Sequence, residues 1–323
     1  MKAIICTRYG PPDVLQLKEV AKPTVGDDQV LINVQATSVN AGDRHLMRGD
    51  PFLVRLMFGL SKPKQPILGT DVAGRIEAVG KNITQFRPGD EVFGDLSDSG
   101  FGAFAQYVCT SEKALTQKPA SMTFEEVAAV PSASVTALQG LRDKGGIQSG
   151  QQVLITGASG GVGTFAVQIA KSFGAEVTAV CSTSKIDMVR SIGADHVIDY
   201  KREDVTQGQQ RYDLILDAAA YRSIRDYQRI LQPKGTYVLI GGSMKNLFQA
   251  MLFGPLLSKT SGQKIGNMLV QPNTQDLRFM RDLLESGKVK PVIDKRYPLR
   301  EVPQAMRYFE SRQAQGKIVI TVD

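Results

Sequence analysis

Residues 155–185 read ITGASGGVGTFAVQIAKSFGAEVTAVCSTSK, and Gly157, Gly160, Gly161 and Gly163 fall within seven positions. An apolar run, QVLITG (152–157), precedes them and GVGTFAVQIAKSFG (161–174) follows with helical spacing. A strand that enters a helix through a turn this bare of side chains constrains the chain more than any other feature. Glycine admits backbone angles closed to other residues and lets N–H groups approach an anion. The helix that starts there adds the positive end of its dipole. A glycine cluster alone is weak evidence; at the first strand-to-helix turn of a long alternating pattern it marks a dinucleotide-phosphate loop.

That pattern is present. EVTAVCS (176–182), HVIDY (196–200), YDLILDA (212–218), GTYVLIGG (235–242) and KIGNMLVQP (264–272) read as short apolar strands. SKIDMVRSIG (184–193) and IRDYQRILQP (224–233) read as helices between them. Such alternation builds a doubly wound parallel sheet. The first third differs. VLINVQATSV (30–39), GTDVAGRIEAVG (69–80), GDEVFG (89–94) and GAFAQYVCT (102–110) are strand-like runs punctuated by Gly and Pro, as in a small barrel or sandwich. From Thr123 to Leu141 the periodicity turns helical, with Thr123 as N-cap and Glu126 in the capping-box position. The tail adds helices at 276–287 and VPQAMRYFESR, then a strand, GKIVITVD. The expected organisation is α/β: residues 1–126 and 273–323 in one domain, and a Rossmann domain at 127–272.

Three scattered cysteines, Cys6, Cys109 and Cys181, with no CxxC pair, argue against a disulfide framework or a structural zinc lobe. Two histidines, His45 and His196, are too few for an imidazole-rich zinc site. No uninterrupted apolar run reaches the roughly 18 residues of a spanning helix, and the N-terminus does not read as a signal peptide. A cytoplasmic protein is expected. The net charge of +7 contains no block of five Lys or Arg, so no specific nucleic-acid partner is expected.

The second half of the opening stretch bears on the cofactor. In a dinucleotide fold, an acid about 20 residues past the glycines binds the ribose 2′-hydroxyl of NAD, whereas cations and hydroxyls accept the 2′-phosphate of NADP. This chain offers Ser182, Thr183, Ser184 and Lys185, with no acid before Asp187. A carboxylate would repel the phosphate and Lys185 would pair with it. The expected cofactor is NADPH, held by Ala158, Gly160, Gly161, Val162 and Gly163 at the loop and by Ser182 and Lys185 beyond it.

SVNAGD (38–43), LGTDVAGRIEAVG (68–80), FRPGDEVFG (86–94), GAFAQY (102–107), VPSASVTALQGL (130–141), GASGGVG, VIDY and GKIVI occur in this order along essentially the whole chain. In this the chain resembles the medium-chain dehydrogenase/reductase superfamily, in its zinc-free quinone oxidoreductase-like branch. The resemblance implies a β-rich GroES-like catalytic domain built from both ends of the chain, with the Rossmann domain inserted. It implies NADPH-dependent reduction of quinones or activated C=C bonds, and commonly a homodimer. Zinc alcohol dehydrogenases of the superfamily have a cysteine where Asn40 stands and GHE where Gly69, Thr70 and Asp71 stand. By the resemblance, Asn40 and Asp43 lie near the nicotinamide, Thr136 approaches it, Ile240, Gly241 and Gly242 line it, Tyr200 sits beside the adenosine phosphate, and Lys317 comes near the cofactor. Two departures stand out. His45 replaces a tyrosine common two residues after the aspartate, and DAAA carries alanine (218–220) where the family has glycine.

The candidate catalytic residues are Asn40, Asp43 and His45. Asn40 can polarise a carbonyl or tie its loop. Asp43 can orient His45 or close a turn, and His45 can donate a proton that water can also supply. Two apolar segments edged with Lys and Arg, 52–66 and 246–259, read as a lipophilic lid or weak membrane-surface contact, or as ordinary core or a dimer contact. Competing functions are an NADPH-binding module with little turnover and a zinc-independent alcohol dehydrogenase.

Overall fold

The protein is described by a computed structural model, which covers residues 1–242, 254, 258 and 262–322. The apolar segment 246–259 therefore lies outside the described residues, apart from Gly254 and Ser258. Contacts divide the chain into two units: Met1–Ala133, Pro272–Glu285 and Pro291–Asp323 form one, and Ser134–Gln271 with Ser286–Lys290 the other.

The first unit is built on a mainly antiparallel seven-stranded sheet. Its strand order is Ile293–Pro298, Lys317–Thr321, Gln29–Ser38, Asp71–Val79, Glu91–Asp95 and Leu115–Gln117, with Tyr107–Ser111 pairing on Gln29–Ser38. Lys2–Cys6 and Leu15–Glu19 form a separate antiparallel pair. The apolar positions of these strands, among them Ile32, Val72, Val92, Ile318 and Ile320, share one core with Leu68, Phe104 and Met306. The strand Lys317–Thr321 is thus paired on both sides, parallel to Ile293–Pro298 and antiparallel to Gln29–Ser38. Ile293–Pro298, the Lys2–Cys6 pair and the two helices Ala41–Arg48 and Phe52–Phe58 are elements beyond those expected from the sequence pattern.

The second unit is a six-stranded parallel sheet in the order His196–Asp199, Glu176–Cys181, Gln152–Thr156, Tyr212–Asp217, Leu231–Leu239 and Lys264–Asn267. Strands one and four of the unit, Gln152–Thr156 and Tyr212–Asp217, lie side by side where the winding reverses, and Val153, Leu154 and Ile155 are wholly buried. A parallel strand covered on both faces is apolar at consecutive positions, which is why VLI reads as a run and not as an alternation. The reversal opens a crevice at the carboxyl ends of these strands, the general ligand position of such sheets.

Two expected helices differ. The span 123–141 is broken: Phe124–Ala128 carries its capping box at Thr123 and Glu126, and a second helix runs Pro131–Gln139 into a π turn at Gly140–Lys144. Pro131 has no N–H and disfavours helical angles at Val130, so the first helix stops before it. The helix expected at 224–233 ends at Arg229, and Leu231–Leu239 is strand. Pro233 again explains the change, since the residue before a proline is pushed toward extended angles.

Candidate active site

In the second unit, Gly157 sits at φ +63°, Gly160 precedes the first helical residue, and the helix runs Gly161–Ser172. A Cβ on Gly163 would meet the Gly157 carbonyl oxygen at 2.1 Å, so the helix can approach the strand only with glycine there. The Ala158 N–H is spent on the Val180 carbonyl (3.1 Å) and the Gly160 N–H on Gly157 (3.0 Å). Ala158 and Gly160 thus shape the loop, their N–H groups engaged by backbone carbonyls. The first-turn donors that a helix leaves without intrahelical acceptors belong here to Gly161, Val162 and Gly163.

Beyond the second strand, Ser182 is buried and precedes a short 3₁₀ turn, Thr183–Lys185, with Lys185 half-buried. Asp187 lies past the turn, in the helix Ile186–Ser191, and is exposed. A residue missed by sequence reasoning lies against the turn. Asp199, buried at the end of its strand, accepts from the Thr183 hydroxyl (2.6 Å) and the Lys201 N–H (3.0 Å), and Arg202 stands 3.5 Å away. The Thr183 hydrogen bond first, then the Lys201 N–H and the charges of Arg202 and Lys201, hold its carboxyl below the usual aspartate range. Its signal was visible as the D of VIDY. Tyr200 is 46% exposed and its ring lies 5.8 Å from that of Tyr221. Thr136 is half-buried on the helix Pro131–Gln139. The Ile240 N–H donates to the Asp217 carbonyl (3.0 Å), a Cβ on Gly241 would reach the Ala218 oxygen at 2.6 Å, and Gly242 has φ +104°.

The first unit carries a second cluster, with Asp71 at its centre. Its carboxylate is wholly buried and accepts from the Ser38 hydroxyl (2.5 Å), the Asn40 amide (2.8 Å) and the Ser132 N–H (2.9 Å). The Lys317 ammonium, 2% exposed, is 3.2 Å from the same carboxylate and 2.5 Å from Asn40 Oδ1. The other Asn40 N–H goes to Thr70 Oγ1 at 2.9 Å. Both amide hydrogens of Asn40 are thus committed, and in this arrangement it has none left for a substrate carbonyl. Lys317, which the resemblance places near the cofactor, is the counter-ion of Asp71. Ser132 also bonds Asp95 (2.6 Å), whose carboxyl is raised by burial and by the neighbouring charge of Asp71.

Asp43 is wholly buried, accepting from the Asn40 N–H (2.9 Å) and the Gly69 N–H (3.1 Å). Both oxygens serve backbone, so Asp43 ties the Asn40 loop to Gly69 and does not orient His45. Burial raises its pKa to about 7 against the pull of those two N–H groups. His45 is half-buried, with Nδ1 2.6 Å from the Asp50 carbonyl oxygen. A carbonyl only accepts, so Nδ1 carries the proton, and in the neutral ring Nε2 is an acceptor. Asp71, Thr70, Ser38 and Asp95 were not singled out as site residues; a polar GTD at a strand entrance between apolar residues was the available signal.

Residues 26–120 match the alcohol dehydrogenase GroES-like domain, and residues 192–320 match the zinc-binding dehydrogenase family. The chain is 34% identical to 2-methylene-furan-3-one reductase of Solanum lycopersicum, over 99% of this chain and 79% of that protein. It is 32% identical to the chloroplastic NADPH-dependent alkenal/one oxidoreductase of Arabidopsis thaliana, with the same coverage. Among solved structures, the quinone oxidoreductase from Coxiella burnetii is similar, with a TM-score of 0.90 and 28% identity, covering 100% of this chain and 99% of that one. Glycine loop, sheet order and these relatives together define a nicotinamide-dependent oxidoreductase. The chain belongs to the medium-chain dehydrogenase/reductase superfamily, among its quinone oxidoreductase-like members.

Proposed function

We propose that this enzyme uses NADPH to reduce quinones or the activated C=C bonds of α,β-unsaturated carbonyls, by direct hydride transfer without zinc. The observation that carries the cofactor choice is the turn after the second strand. Ser182 and Lys185 stand where an NAD-binding acid would stand, and Lys201 and Arg202 add cations beside them. The one nearby carboxylate, Asp199, is engaged by Thr183, Lys201 and Arg202.

Bound NADPH supplies the hydride. The N–H groups of Gly161, Val162 and Gly163 would hold its pyrophosphate, and Ser182 and Lys185 its 2′-phosphate. Gly241 allows close approach of the backbone on the nicotinamide side. Asp43, Lys317 and Asp71 fix the Asn40 loop. His45 delivers the proton as imidazolium, because with Nδ1 donating to Asp50 only the charged ring has an Nε2 hydrogen to give. Zinc fits poorly. A catalytic zinc takes three ligands of the Cys, His or carboxylate type. The Asn40–Thr70–Asp71 set offers one carboxylate, and that one faces an ammonium. The substrate class is supported by the names of the reductases and quinone oxidoreductase that this chain resembles.

The test is the loss of NADPH or NADH absorbance against benzoquinone, phenanthrenequinone, and a short and a long enal, and its gain with a simple alcohol and the oxidised cofactors. Turnover of quinones or enals with NADPH well above NADH is expected. Ser182→Asp combined with Lys185→Ala should reverse that preference. Equal rates with both cofactors in the wild type, or turnover confined to alcohols, would refute the reading.

A further inference from the structure

The helix Phe52–Phe58 is apolar on both sides. Val54 and Phe58 pack inward on the core of the first unit, and the Phe58 ring meets Phe101 edge-on at 5.7 Å. On the outward side, Phe52, Leu53, Leu56 and Met57, with Leu60 just beyond, are each 50–64% exposed. These are five of the eight exposed large hydrophobic side chains among the described residues, so the exposure is concentrated. The segment is also held in this attitude. Arg55 lies over the Tyr9 ring at 4.9 Å and donates to the Gly49 carbonyl (3.0 Å), and the Tyr9 hydroxyl donates to the Gly59 carbonyl (2.6 Å). The Lys64 N–H closes the following loop on the Phe58 carbonyl (2.7 Å). A scaffold that fixes five large apolar groups in water keeps them for an apolar medium.

The charge around them is one-sided. Between residues 51 and 70 there are three cations, Arg55, Lys62 and Lys64, and no acid. Lys62 and Lys64 are exposed, and neither has an ion-pair partner among the described residues. Two neighbouring acids are paired elsewhere: Asp50, which precedes the segment, with Arg44 at 3.9 Å, and Glu310 with Arg48 (2.6 Å) and Arg44 (3.3 Å). A two-fold contact between copies would bring the same lysines to both sides with no segment acid to meet them, which disfavours self-association here. A bilayer bearing anionic headgroups satisfies both halves of the patch: acyl chains take the apolar side chains and phosphates take the lysines.

We propose that residues 52–64 dock the enzyme on an anionic lipid surface, with Phe52, Leu53, Leu56, Met57 and Leu60 entering the headgroup boundary and Lys62 and Lys64 pairing with lipid phosphate. This is independent of which substrate is reduced. The experiment is flotation of the full-length protein with vesicles of phosphatidylcholine alone or mixed with phosphatidylglycerol. Binding to the mixed vesicles, weakened by salt, is expected. Leu56→Asp with Met57→Asp should abolish it. Lys62→Gln with Lys64→Gln should leave binding about thirtyfold weaker. Each variant is checked by its thermal unfolding and its NADPH turnover, which should match the wild type. Failure to float with mixed vesicles, or flotation that survives the Leu56/Met57 variant, overturns the proposal. So does concentration-dependent dimerisation in sedimentation velocity that this variant removes, since the patch would then belong to a second copy.

Discussion

Replacing Lys317 by methionine tests the centre of the first unit. The ammonium and the Asp71 carboxylate are 2% and 0% exposed and 3.2 Å apart. At an effective dielectric of about 20 their attraction is roughly 5 kcal/mol, and removing one member of a buried pair commonly costs about 3–5 kcal/mol. Asp71 would keep its bonds from Ser38, Asn40 and Ser132, which places the expected loss near the lower end, about 3 kcal/mol. For a unit of this size that is a fall of roughly 10 °C in its unfolding temperature. Asp71→Asn should cost a similar amount, and the double variant, with neither charge left, should cost less than the sum by about 2–3 kcal/mol. The assay is scanning calorimetry of the four proteins. The two effects adding to within about 0.5 kcal/mol would falsify the claim that the pair is coupled. The Lys317 variant also frees Asn40 Oδ1, so its kcat should fall while KM for NADPH stays near wild type.

Three further outcomes are expected. Burial pushes the Asp43 carboxyl up to about 7, above the ordinary aspartate value of 3.8. Its contribution to stability is therefore full below about pH 4 and is lost as the pH rises to 7, a change of about 4 kcal/mol, so urea titrations of wild type and Asp43→Asn should diverge across that window and run parallel above it. Ala220 sits at φ +51°, where alanine is strained, so Ala220→Gly should raise stability by about 1 kcal/mol; a lowered melting temperature would argue against strain there. His45→Gln should lower kcat for quinone reduction while KM for NADPH stays near wild type, and an unchanged kcat would return the proton to solvent.

The fold was legible where the backbone itself had to be unusual or uniformly apolar. Gly163 can be nothing else beside the Gly157 carbonyl, and the buried strand around Leu154 reads as an unbroken apolar run. The helix breaks at Pro131 and Pro233 were also written in the chain, but an apolar period running through them masked them. The site was legible only in part. Asn40 and Lys317 were found through the resemblance, whereas their partnership with Asp71 was not, because it joins Asp71 to residues 31 and 246 positions away. A local pattern carries no information about such a pairing. Asp43 read as a possible orienter of His45 because of its spacing, but the Gly69 N–H, 26 residues away, took its second oxygen.

The strand Lys317–Thr321 has a consequence for how the chain is made. It fills a place inside the first unit's sheet, between Ile293–Pro298 and Gln29–Ser38. Ribosomal synthesis releases residues 1–133 first, yet they cannot complete that sheet or neutralise Asp71 until residues 317–321 have emerged. The second unit, by contrast, has nearly all of its residues once 271 is out, and all of them by 290. The nascent chain therefore has an early-closing parallel-sheet unit and a waiting first unit whose strand edges stay open. The interval between them is the stretch of synthesis in which a chaperone would find the most to hold.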